Sequence, residues 1–479
     1  MKVAFISPEV VPYSKTGGLA DVCGALPQAL AGLDVETCVV TPGYRCTKSA
    51  PAEKVEAPVR IKVGDTEVAP TFRRAGRVFF VDCDPYFDRE GLYGTPNGDY
   101  KDNAARFVLF CRAAMELLRH VAVPDVLHAH DWQAGLVPTY ARTLYRSAYE
   151  KTKTVFTIHN LAYQGLFWHW DMPLTGLDWK HFHWKELEFF GKISFVKAGL
   201  VHSDAVVTVS PTYAREIQTP QHGCGLDGVL RERASVLHGI LNGVDYAEWN
   251  PETDALLPAC YSARAPAGKS SCKAALQKQC GLPEAPETPL VGMIGRLVEQ
   301  KGIDLVLAVI EDLLKEDVQF VLLGSGDPRY QEALLGVQRR RPDRISVNIK
   351  FDNGLAHLIE AGSDLFLMPS RYEPCGLNQI YSLKYGTVPV VRATGGLADS
   401  VVGAATETMK KGTATGFAFA DYSPVALADT MRRALGAYHE KKAWKKLMAA
   451  GMKQDFSWEK SARQYLKLYE GLTRGSSNA

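Results

Sequence analysis

Short, continuous runs of apolar and mostly β-branched residues recur along the chain, with amphipathic stretches between them. In the first half these runs lie at 3–6, 35–40, 78–81, 126–128, 155–158 and 205–209. In the second half they lie at 290–294, 319–323, 345–349, 365–368 and 388–391. Uninterrupted apolar strands that alternate with helices are typical of a parallel sheet covered on both faces. The pattern therefore predicts an α/β fold with two doubly wound parallel sheets, one in each half.

The predicted boundary between the two domains lies near residues 245–250. The stretch 249–289 is rich in Pro, Ala and Cys and shows no clear hydrophobic period. We therefore predict a first domain over 1–245 and a second over 246–456. The last stretch, 456–471, has Ser457 in position to cap a helix, followed by apolar or aromatic residues at Ala462, Tyr465, Leu466 and Tyr469. It predicts a terminal amphipathic helix that needs a partner surface.

Composition and charge narrow the class of protein. The chain has 479 residues, with 55 Lys and Arg against 53 Asp and Glu and a formal net charge of +2, which argues against a nucleic-acid footprint over the whole surface. The N-terminal apolar run is far shorter than the ~20 residues of a membrane span. The ten cysteines lack the spacing of a zinc site. We expect free thiols in the cytoplasm, or in a plastid after removal of a transit peptide, and neither a membrane nor a nucleic-acid partner.

An identical hexapeptide, TGGLAD, occurs once in each half, at 16–21 and at 394–399. Each copy lies where a strand or loop should give way to a helix. The paired glycines either form a tight turn that needs positive φ or let the main chain approach a ligand closely. Beside the first copy, Lys15 adds a positive charge to a helix N-terminus, which favours an anion. The pattern is neither the Walker motif nor GxGxxG, so neither ATP hydrolysis nor NAD binding follows from it.

Two cations follow the strand predicted at 290–294. Arg296 lies at the strand's carboxyl end, and Lys301 lies just before a helix with apolar residues at 303, 306, 307, 310 and 314. Open α/β sheets bind ligands at this edge. Two cations there can neutralise a diphosphate without a metal. The alternative is that both are ordinary solvated charges.

A carboxylate lies close to a further predicted helix start. Pro374 keeps Glu373 out of the helical region, and a helical period resumes at Leu377, so the N–H groups near Gly376 and Leu377 can receive a phosphate. Glu373 would repel that phosphate and suits the hydroxyls of an attached sugar better. The alternative is that it only stabilises the helix dipole.

Polar clusters also follow two strands of the first half. His128, His130 and Asp131 follow one strand, and His159 and Asn160 follow the next. Residues that end adjacent parallel strands favour a substrate cleft over a metal site. The dense aromatic residues between 163 and 190 either stack on sugars or pack a loop-rich subdomain, and the second interpretation is favoured.

In its ordered motifs the chain resembles the bacterial and plastid glycogen and starch synthases. The resemblance covers essentially the full length, through KTGGLADV at 15–22, DYKDNAARF at 99–107, HAHDW at 128–132, FTIHNLAYQG at 156–165, SPTYAREI at 210–217, ILNGVDYAEWNP at 240–251, GRLVEQKG at 295–302, EPCGLNQ at 373–379, TGGLADSV at 394–401 and DFSWEKSA at 455–462. It implies the GT-B architecture, in which two Rossmann-like domains face each other across a deep cleft. The first domain would bind the acceptor, with the helix 457–479 packed back on it, and the second would bind the nucleotide sugar.

The resemblance also implies roles for single residues. Arg296 and Lys301 would contact the donor diphosphate, Glu373 the glucose hydroxyls, and His159 the transferring glucose near its anomeric carbon. These four are the predicted catalytic residues. Further substrate-binding residues would be Lys15, Gly17, Gly18, Asp21, Asn103, Asp131, Asn160, Asn242, Cys375, Gly376, Leu377, Thr394 and Gly395. Tyr381 stands where related glycosyltransferase families have a second glutamate, as is usual for this family.

The activity implied is transfer of glucose to the non-reducing 4-hydroxyl of an α-1,4-glucan, with retention of configuration and release of ADP. The resemblance favours ADP-glucose over UDP-glucose and implies neither a metal nor pyridoxal phosphate. The partners would be the donor and an α-glucan, and the enzyme would be a monomer or homo-oligomer. The alternatives are a glucan phosphorylase, another nucleotide-sugar glucosyltransferase such as one that makes sucrose, and an inactive glucan-binding protein.

Overall fold

The computed structural model describes residues 1–474, and the chain divides into two compact units. Unit 1 consists of Met1–Gly243 and the C-terminal segment from Trp458 onwards, and unit 2 consists of Val244–Ser457. The sequence placed the corresponding boundaries after 245 and after 456. Residues 475–479 of the predicted terminal segment lie outside the described residues.

The described residues contain the following strands. They are β1 (Lys2–Ile6), β2 (Glu36–Pro42), β3 (Glu53–Val55), β4 (Ile61–Val63), β5 (Thr66–Val68), β6 (Thr71–Ala75), β7 (Val78–Asp82), β8 (Gly94–Thr95), β9 (Gly98–Asp99), β10 (Val126–His130), β11 (Lys153–Ile158), β12 (Leu166–Trp168), β13 (Glu188–Phe189), β14 (Lys192–Ser194), β15 (Ala205–Thr208), β16 (Leu237–Gly239), β17 (Leu290–Ile294), β18 (Gln319–Leu323), β19 (Ile345–Asn348), β20 (Leu365–Met368), β21 (Val388–Arg392) and β22 (Phe417–Phe419).

The α-helices of the same residues connect and cover these strands. They are α1 (Gly18–Ala31), α2 (Asp84–Phe87), α3 (Asn103–Val121), α4 (Leu136–Arg142), α5 (Met172–Thr175), α6 (Phe195–His202), α7 (Pro211–Glu216), α8 (Asp227–Glu232), α9 (Gly268–Gln279), α10 (Ile303–Leu313), α11 (Pro328–Arg340), α12 (Asn353–Gly362), α13 (Asn378–Lys384), α14 (Gly395–Ser400), α15 (Thr406–Lys411), α16 (Pro424–His439), α17 (Lys441–Met452) and α18 (Trp458–Arg474). None of these helices is both long and apolar enough to span a membrane.

Unit 1 is built on a nine-stranded sheet in the order β16-β15-β11-β10-β1-β2-β7-β6-β3. The seven strands from β16 to β7 are parallel, and they include every strand predicted in the first half. The remaining two, β6 and β3, extend the sheet in antiparallel fashion. The predicted parallel sheet is therefore confirmed, and the antiparallel extension at this edge was not predicted. The edge strands β3 and β6 are partly exposed and mostly polar, so they lack the continuous apolar run of a buried parallel strand.

The C-terminal helix α18 belongs to unit 1 and packs against α1. Its buried residues recur with helical spacing and form one face, made of Trp458, Ser461, Ala462, Tyr465 and Tyr469. The hydroxyl of Tyr469 lies 2.7 Å from Nδ1 of His128, a residue of β10. The terminal helix thus reaches the strand that leads to the predicted polar cluster.

Unit 2 contains a six-stranded, wholly parallel sheet in the order β19-β18-β17-β20-β21-β22. Five of these strands match the predicted apolar runs, and the short β22 was not predicted. Helices cover the sheet, with α10 and α16 burying apolar side chains in one cluster and α9 and α12 in another. Helix α9 lies in the stretch for which the sequence shows no clear period.

Candidate functional site

In unit 1 the carboxyl ends of β1, β10 and β11 meet at one edge of the sheet. The register pairs Ile6 with Ala129, and His130 with Thr157. The residues that follow these strands therefore come together, as expected for a parallel sheet. They include Glu9 after β1, Asp131 after β10, and His159 after β11.

Glu9 holds the loop formed by residues 14–18, which we call the Lys15 loop. Its carboxylate accepts hydrogen bonds from the backbone N–H of Thr16 (2.5 Å) and of Gly17 (3.3 Å). It also accepts from the hydroxyls of Thr16 and Tyr93, at 2.6 Å each. Sequence reasoning missed Glu9, although a glutamate beside a buried first strand was a signal. This carboxylate occupies the N–H groups of Thr16 and Gly17, which precede the N-terminus of α1.

Lys15 lies exposed and forms an ion pair with Asp21 of α1, with Nζ to Oδ1 at 2.7 Å. Gly17 caps α1 with an extended backbone (φ −161°), and Gly18 begins the helix. A Cβ added at Gly17 would meet no atom within 4 Å. The tight-turn interpretation with positive φ is therefore wrong for this copy of the hexapeptide. The absent side chain instead leaves open space beside the backbone.

Asp131 and His159 are joined across neighbouring strand ends. The backbone N–H of His159 donates to Oδ1 of Asp131 at 2.7 Å, and Asp131 itself has φ +54°, which is rare for a non-glycine residue. Burial, together with the nearby Glu9 charge, raises the pKa of the Asp131 carboxyl to about 7, although the backbone hydrogen bonds from His159 and Asn160 act against this rise. Burial also lowers the pKa of His159 to about 3, so its imidazole is uncharged near neutral pH.

The protonation of His159 follows from its neighbour His130. Nδ1 of His130 lies 2.9 Å from Nε2 of His159, while Nε2 of His130 is buried and has no hydrogen-bond partner among residues 1–474. A buried N–H without an acceptor is costly. The favoured tautomer of His130 therefore carries its hydrogen on Nδ1 and donates to His159. His159 in turn carries its own hydrogen on Nδ1, which makes that atom a donor.

The predicted asparagines have different surroundings. Asn103 is buried at the start of α3, where Nδ2 donates to the Tyr93 carbonyl and Oδ1 accepts from the guanidinium of Arg106. Asn160 is partly buried, and its Oδ1 accepts from the backbone N–H of Ala162. Asn242 is buried, and its Oδ1 has no partner in the described part of the chain. The hydrogen bonds of Asn103 thus stabilise the local fold. The Oδ1 atom of Asn242, by contrast, can still accept a hydrogen bond from a ligand.

Hydrogen bonds occupy both ring nitrogens of His128, the first histidine of the motif that ends β10. Both ring nitrogens of His128 are engaged, Nδ1 with Tyr469 and Nε2 with Thr157 at 2.6 Å. A metal at His128 would have to displace one of these two hydrogen bonds, and the preference for a substrate cleft over a metal site at this motif stays a prediction.

In unit 2 the loop after β17 carries both predicted cations. Arg296 follows Gly295, and its guanidinium lies 3.2 Å from Oε1 of Gln300. Lys301 precedes Gly302, which has φ +73° and approaches the carbonyl of Pro369 so closely that a Cβ would lie 2.1 Å from that oxygen. Only glycine fits there, and its turn sets the position of Lys301 at the mouth of α10.

Lys301 and Glu373 form an ion pair, with Nζ to Oε2 at 2.6 Å. The same oxygen accepts from the hydroxyl of Ser370 at 3.0 Å. The Glu373 side chain is 7% exposed and that of Lys301 21% exposed. The structure therefore brings together two predicted residues from separate loops, and neither is an ordinary solvated charge.

The loop 373–376 packs directly on the second hexapeptide copy. The N–H of Gly396 donates to the carbonyl of Glu373 at 3.1 Å. A Cβ at Gly395, which has φ +46°, would lie 1.9 Å from that carbonyl, and one at Gly396 would lie 2.0 Å from the carbonyl of Cys375. In this copy Gly395 has the positive φ of the tight-turn interpretation, and close backbone approach leaves no room for a side chain at either glycine. Buried Thr394 caps α14 beside them.

The helix after this loop begins one residue later than predicted. Leu377 is the capping residue, and α13 starts at Asn378, whose Nδ2 donates to the carbonyl of Ile294 at 3.0 Å. Gln379 closes the loop by donating to the carbonyls of Cys375 and Gly376. Residues 375–377 thus lie at the carboxyl edge of β17, beside the Lys301 and Glu373 pair.

Comparisons with known proteins relate the chain to one family. Residues 2–232 match the family model described as starch synthase catalytic domain, and residues 278–448 match the model described as glycosyl transferases group 1. The chain is 49% identical to a glycogen synthase of Koribacter versatilis over 98% of both chains. It is 51% identical to a glycogen synthase of an Anaeromyxobacter species, covering 98% of this chain and 99% of the other.

A solved structure extends the comparison to the fold. The catalytic domain of starch synthase IV from Arabidopsis thaliana, bound to ADP and acarbose, matches with a TM-score of 0.90 and 34% identity. The match covers 98% of this chain and 99% of that one. It confirms the predicted fold class, an α/β protein of the GT-B glycosyltransferase class with two Rossmann-like domains.

Proposed function

The chain belongs to the glycogen and starch synthase family of glycosyltransferases, and we propose that it transfers glucose from ADP-glucose to the non-reducing 4-hydroxyl of an α-1,4-glucan. ADP, a ligand of the Arabidopsis relative, supports an adenine nucleotide as the donor's leaving group. The relatives favour this activity over a glucan phosphorylase or a sucrose-forming transferase. The glucan acceptor is the partner that the same relatives suggest.

The Lys301 and Glu373 pair is the observation that carries the proposal. Lys301 and Arg296 lie after β17, at the edge where open α/β sheets bind ligands. Both cations can bear the charge of a departing diphosphate, which is the work that a metal does in other transferases. We therefore propose transfer without a metal or pyridoxal phosphate. Glu373 would hold Lys301 in place and accept hydrogen bonds from the glucose hydroxyls.

In unit 1 the proposed role of His159 is that of an uncharged hydrogen-bond donor to the transferring glucose, close to its anomeric carbon. A neutral imidazole suits this role because a cation would oppose the positive charge that develops on an oxocarbenium-like glucose. Asp131 orients His159 through its backbone N–H. Lys15 and the open backbone at Gly17 would meet the donor's phosphates and glucose.

Retention of configuration is proposed through a front-face reaction. The bond between glucose C1 and the ADP oxygen breaks, the acceptor 4-hydroxyl oxygen bonds to C1 on the same face, and its proton passes to the departing phosphate. A double displacement would need a free carboxylate as nucleophile. Glu373 is engaged by Lys301 and Ser370, and Asp131 is buried with a raised pKa, so neither suits that role.

The donor is tested by incorporation of labelled glucose. The purified protein is incubated with glycogen and either radiolabelled ADP-glucose or UDP-glucose, with EDTA throughout, and label in the precipitated polymer is counted. Label from ADP-glucose alone supports the proposal, and label from UDP-glucose alone changes the donor. No label from either, with donor binding intact, favours an inactive glucan-binding protein. The cytoplasmic location and the monomeric or homo-oligomeric state stay predictions.

A further inference from the structure

Two histidines and a glutamate of unit 1 converge at a place that the proposed reaction does not use. His181 and Glu186 lie in the segment 179–189, which leads into β13, and His202 is the last residue of α6. One ligand atom from each side chain lies within 4.8 Å of the other two. Nδ1 of His181 is 2.7 Å, and Nε2 of His202 is 3.4 Å, from the same oxygen of Glu186.

The hydrogen bonds of His202 leave its Nε2 as a lone-pair acceptor that faces a carboxylate. Its Nδ1 lies 3.2 Å from the carbonyl of Ala198 and 3.1 Å from the hydroxyl of Thr139. A carbonyl oxygen can only accept, so the bond to Ala198 places the hydrogen of His202 on Nδ1. Nε2 then presents a lone pair toward the Glu186 carboxylate. Two acceptors that face each other are stabilised when a proton or a metal cation lies between them.

The same hydrogen bond is the support that a metal-binding histidine requires. Histidine ligands of metals usually donate their other ring N–H to a carbonyl or carboxylate, which fixes the tautomer and the ring orientation. The backbone positions His181 as well, because its N–H donates to the carbonyl of Asp178 at 3.0 Å and its carbonyl accepts from Leu187 at 3.3 Å.

The ligand atoms of these three side chains and the distances between them indicate which metal would bind. Two imidazole nitrogens and one carboxylate oxygen, with water as the fourth ligand, are typical of Zn²⁺, at bond lengths of about 2.0–2.2 Å. Tetrahedral bonds of that length place neighbouring ligand atoms about 3.3 Å apart. The distance from His202 to Glu186 already has this value, and the shorter one from His181 needs to open by about half an ångström. The three side chains are 14%, 31% and 15% exposed, so an ion can enter from solvent.

We propose that His181, Glu186 and His202 form a Zn²⁺ site that fastens the segment 179–189 to helix α6. Lys197 of α6 already contacts this segment, since its ammonium donates to the carbonyls of Trp184 and Glu188. The ion adds a second link at His202, about one and a half turns further along the helix. The site shares no residue with those proposed for glucose transfer, so metal-independent transfer is unaffected.

Zinc binding to the full chain, with any polyhistidine tag removed, tests the proposal. The protein is stripped with EDTA, the chelator is removed, and ZnCl₂ is titrated calorimetrically. We expect one ion per chain, and affinity at least about tenfold weaker in His181→Gln and His202→Gln, the size already found for loss of outer-shell partners. His183→Gln is the matched control, because His183 is an exposed histidine of the same segment. Absence of zinc binding, or equal binding by all variants, would overturn the proposal.

Two further readouts keep the test decisive if a variant folds poorly. Co²⁺ bound to the unmodified chain should give the visible bands of a tetrahedral nitrogen and oxygen site, and a thiolate charge-transfer band would instead place the metal on a cysteine. Zinc should also slow tryptic cleavage after Lys180 and Lys185, which are exposed on the fastened segment. Cleavage that zinc leaves unchanged would contradict the fastening role. Neither readout depends on glucose transfer.

Discussion

The carboxylate of Glu373 and the ammonium of Lys301 lie 2.6 Å apart, although 72 residues separate them in the sequence. Glu373 is nearly buried, whereas Lys301 keeps some access to solvent. The pair therefore fixes a cation at the carboxyl edge of β17 without burying it. In the proposed reaction this cation bears the charge of the leaving diphosphate.

Replacement of Lys301 by alanine should lower kcat by about a hundredfold or more, the usual cost of removing one group that stabilises developing charge. The remaining Glu373 charge can still accept from Ser370, so the chain should stay folded. Initial rates of ADP release measure kcat, and circular dichroism checks the fold. Lys315→Ala is the matched control, because Lys315 forms an exposed ion pair with Asp312 in the same unit. Near-normal turnover in Lys301→Ala would remove Lys301 from the mechanism.

Replacement of Glu9 by alanine should destabilise unit 1 and weaken donor use together. The change leaves the N–H of Thr16 and the hydroxyl of Tyr93 without their acceptor, at about 1–3 kcal/mol for each group that stays buried. The Lys15 loop should then lose its fixed geometry, which raises KM for ADP-glucose. Thermal unfolding and steady-state kinetics measure the two effects. Tyr93→Phe, which removes one of the four bonds, should have a smaller effect, and an effect equal to that of Glu9→Ala would argue against Glu9 as the organiser of the loop.

The two copies of TGGLAD should respond differently to alanine. Gly395→Ala should cost more than about 2 kcal/mol, because its φ is positive and its Cβ would collide with the Glu373 carbonyl. In Gly17→Ala the added Cβ would meet no atom within 4 Å. This substitution changes only the cap of α1 and should lower the free energy of unfolding by about 1 kcal/mol or less. If the donor occupies the space beside Gly17, this variant should nevertheless lose most of its activity. Unfolding midpoints and initial rates separate the two effects, and a fully active Gly17→Ala would place the donor elsewhere.

Stability should depend on pH through Asp131. Its folded pKa of about 7 lies above the unfolded value of 3.8, so the folded state binds the proton more tightly and stability falls as pH rises from about 4 to 7. In Asp131→Asn the side chain cannot ionise, so this fall in stability with rising pH should be absent. The asparagine Oδ1 still accepts from the backbone N–H of His159. Relative to the unmodified chain, the variant should therefore gain stability between pH 4.5 and 7.5, on the order of a few kcal/mol.

The buried histidines act in the opposite direction. The pKa values of His128 and His159 are lowered to about 3, which makes stability rise with pH between about 3 and 6.5. Both histidines remain in the variant, so their contribution cancels when it is compared with the unmodified chain. Unfolding midpoints of both proteins at pH 4.5 and 7.5 measure the difference. A difference that does not change with pH would contradict a raised pKa at Asp131.

The central strands could be predicted because a parallel strand covered on both faces is a continuous apolar run. The strand Leu290–Ile294 was located to the residue for this reason. Helix α9 was missed because two of its buried positions are lysines. Lys269 donates to the carbonyl of Ala361 and the hydroxyl of Thr387, and Lys273 pairs with Asp364. When lysines occupy the buried positions of a helix, its sequence no longer shows the apolar residues at helical spacing from which the helix could be predicted.

Within the site, the cations and Glu373 could be predicted from their places at strand and helix ends. Their pairing could not, because the contact between Lys301 and Glu373 arises only when β17 and β20 lie side by side in the sheet. The role of Glu9 is likewise tertiary, since it depends on Tyr93 as well as on the Lys15 loop. The different demands on Gly17 and Gly395, within identical hexapeptides, come from their neighbours and not from the motif.

The configuration of the newly formed bond tests the central claim most directly. The protein is incubated with ADP-glucose labelled with ¹³C at C1 of glucose and with a maltooligosaccharide, and the product is examined by NMR while ADP release is followed. The account predicts an α-1,4 linkage and one ADP for each glucose added, with EDTA present. A β linkage, release of free glucose without elongation, or failure to extend the oligosaccharide despite donor binding would contradict it.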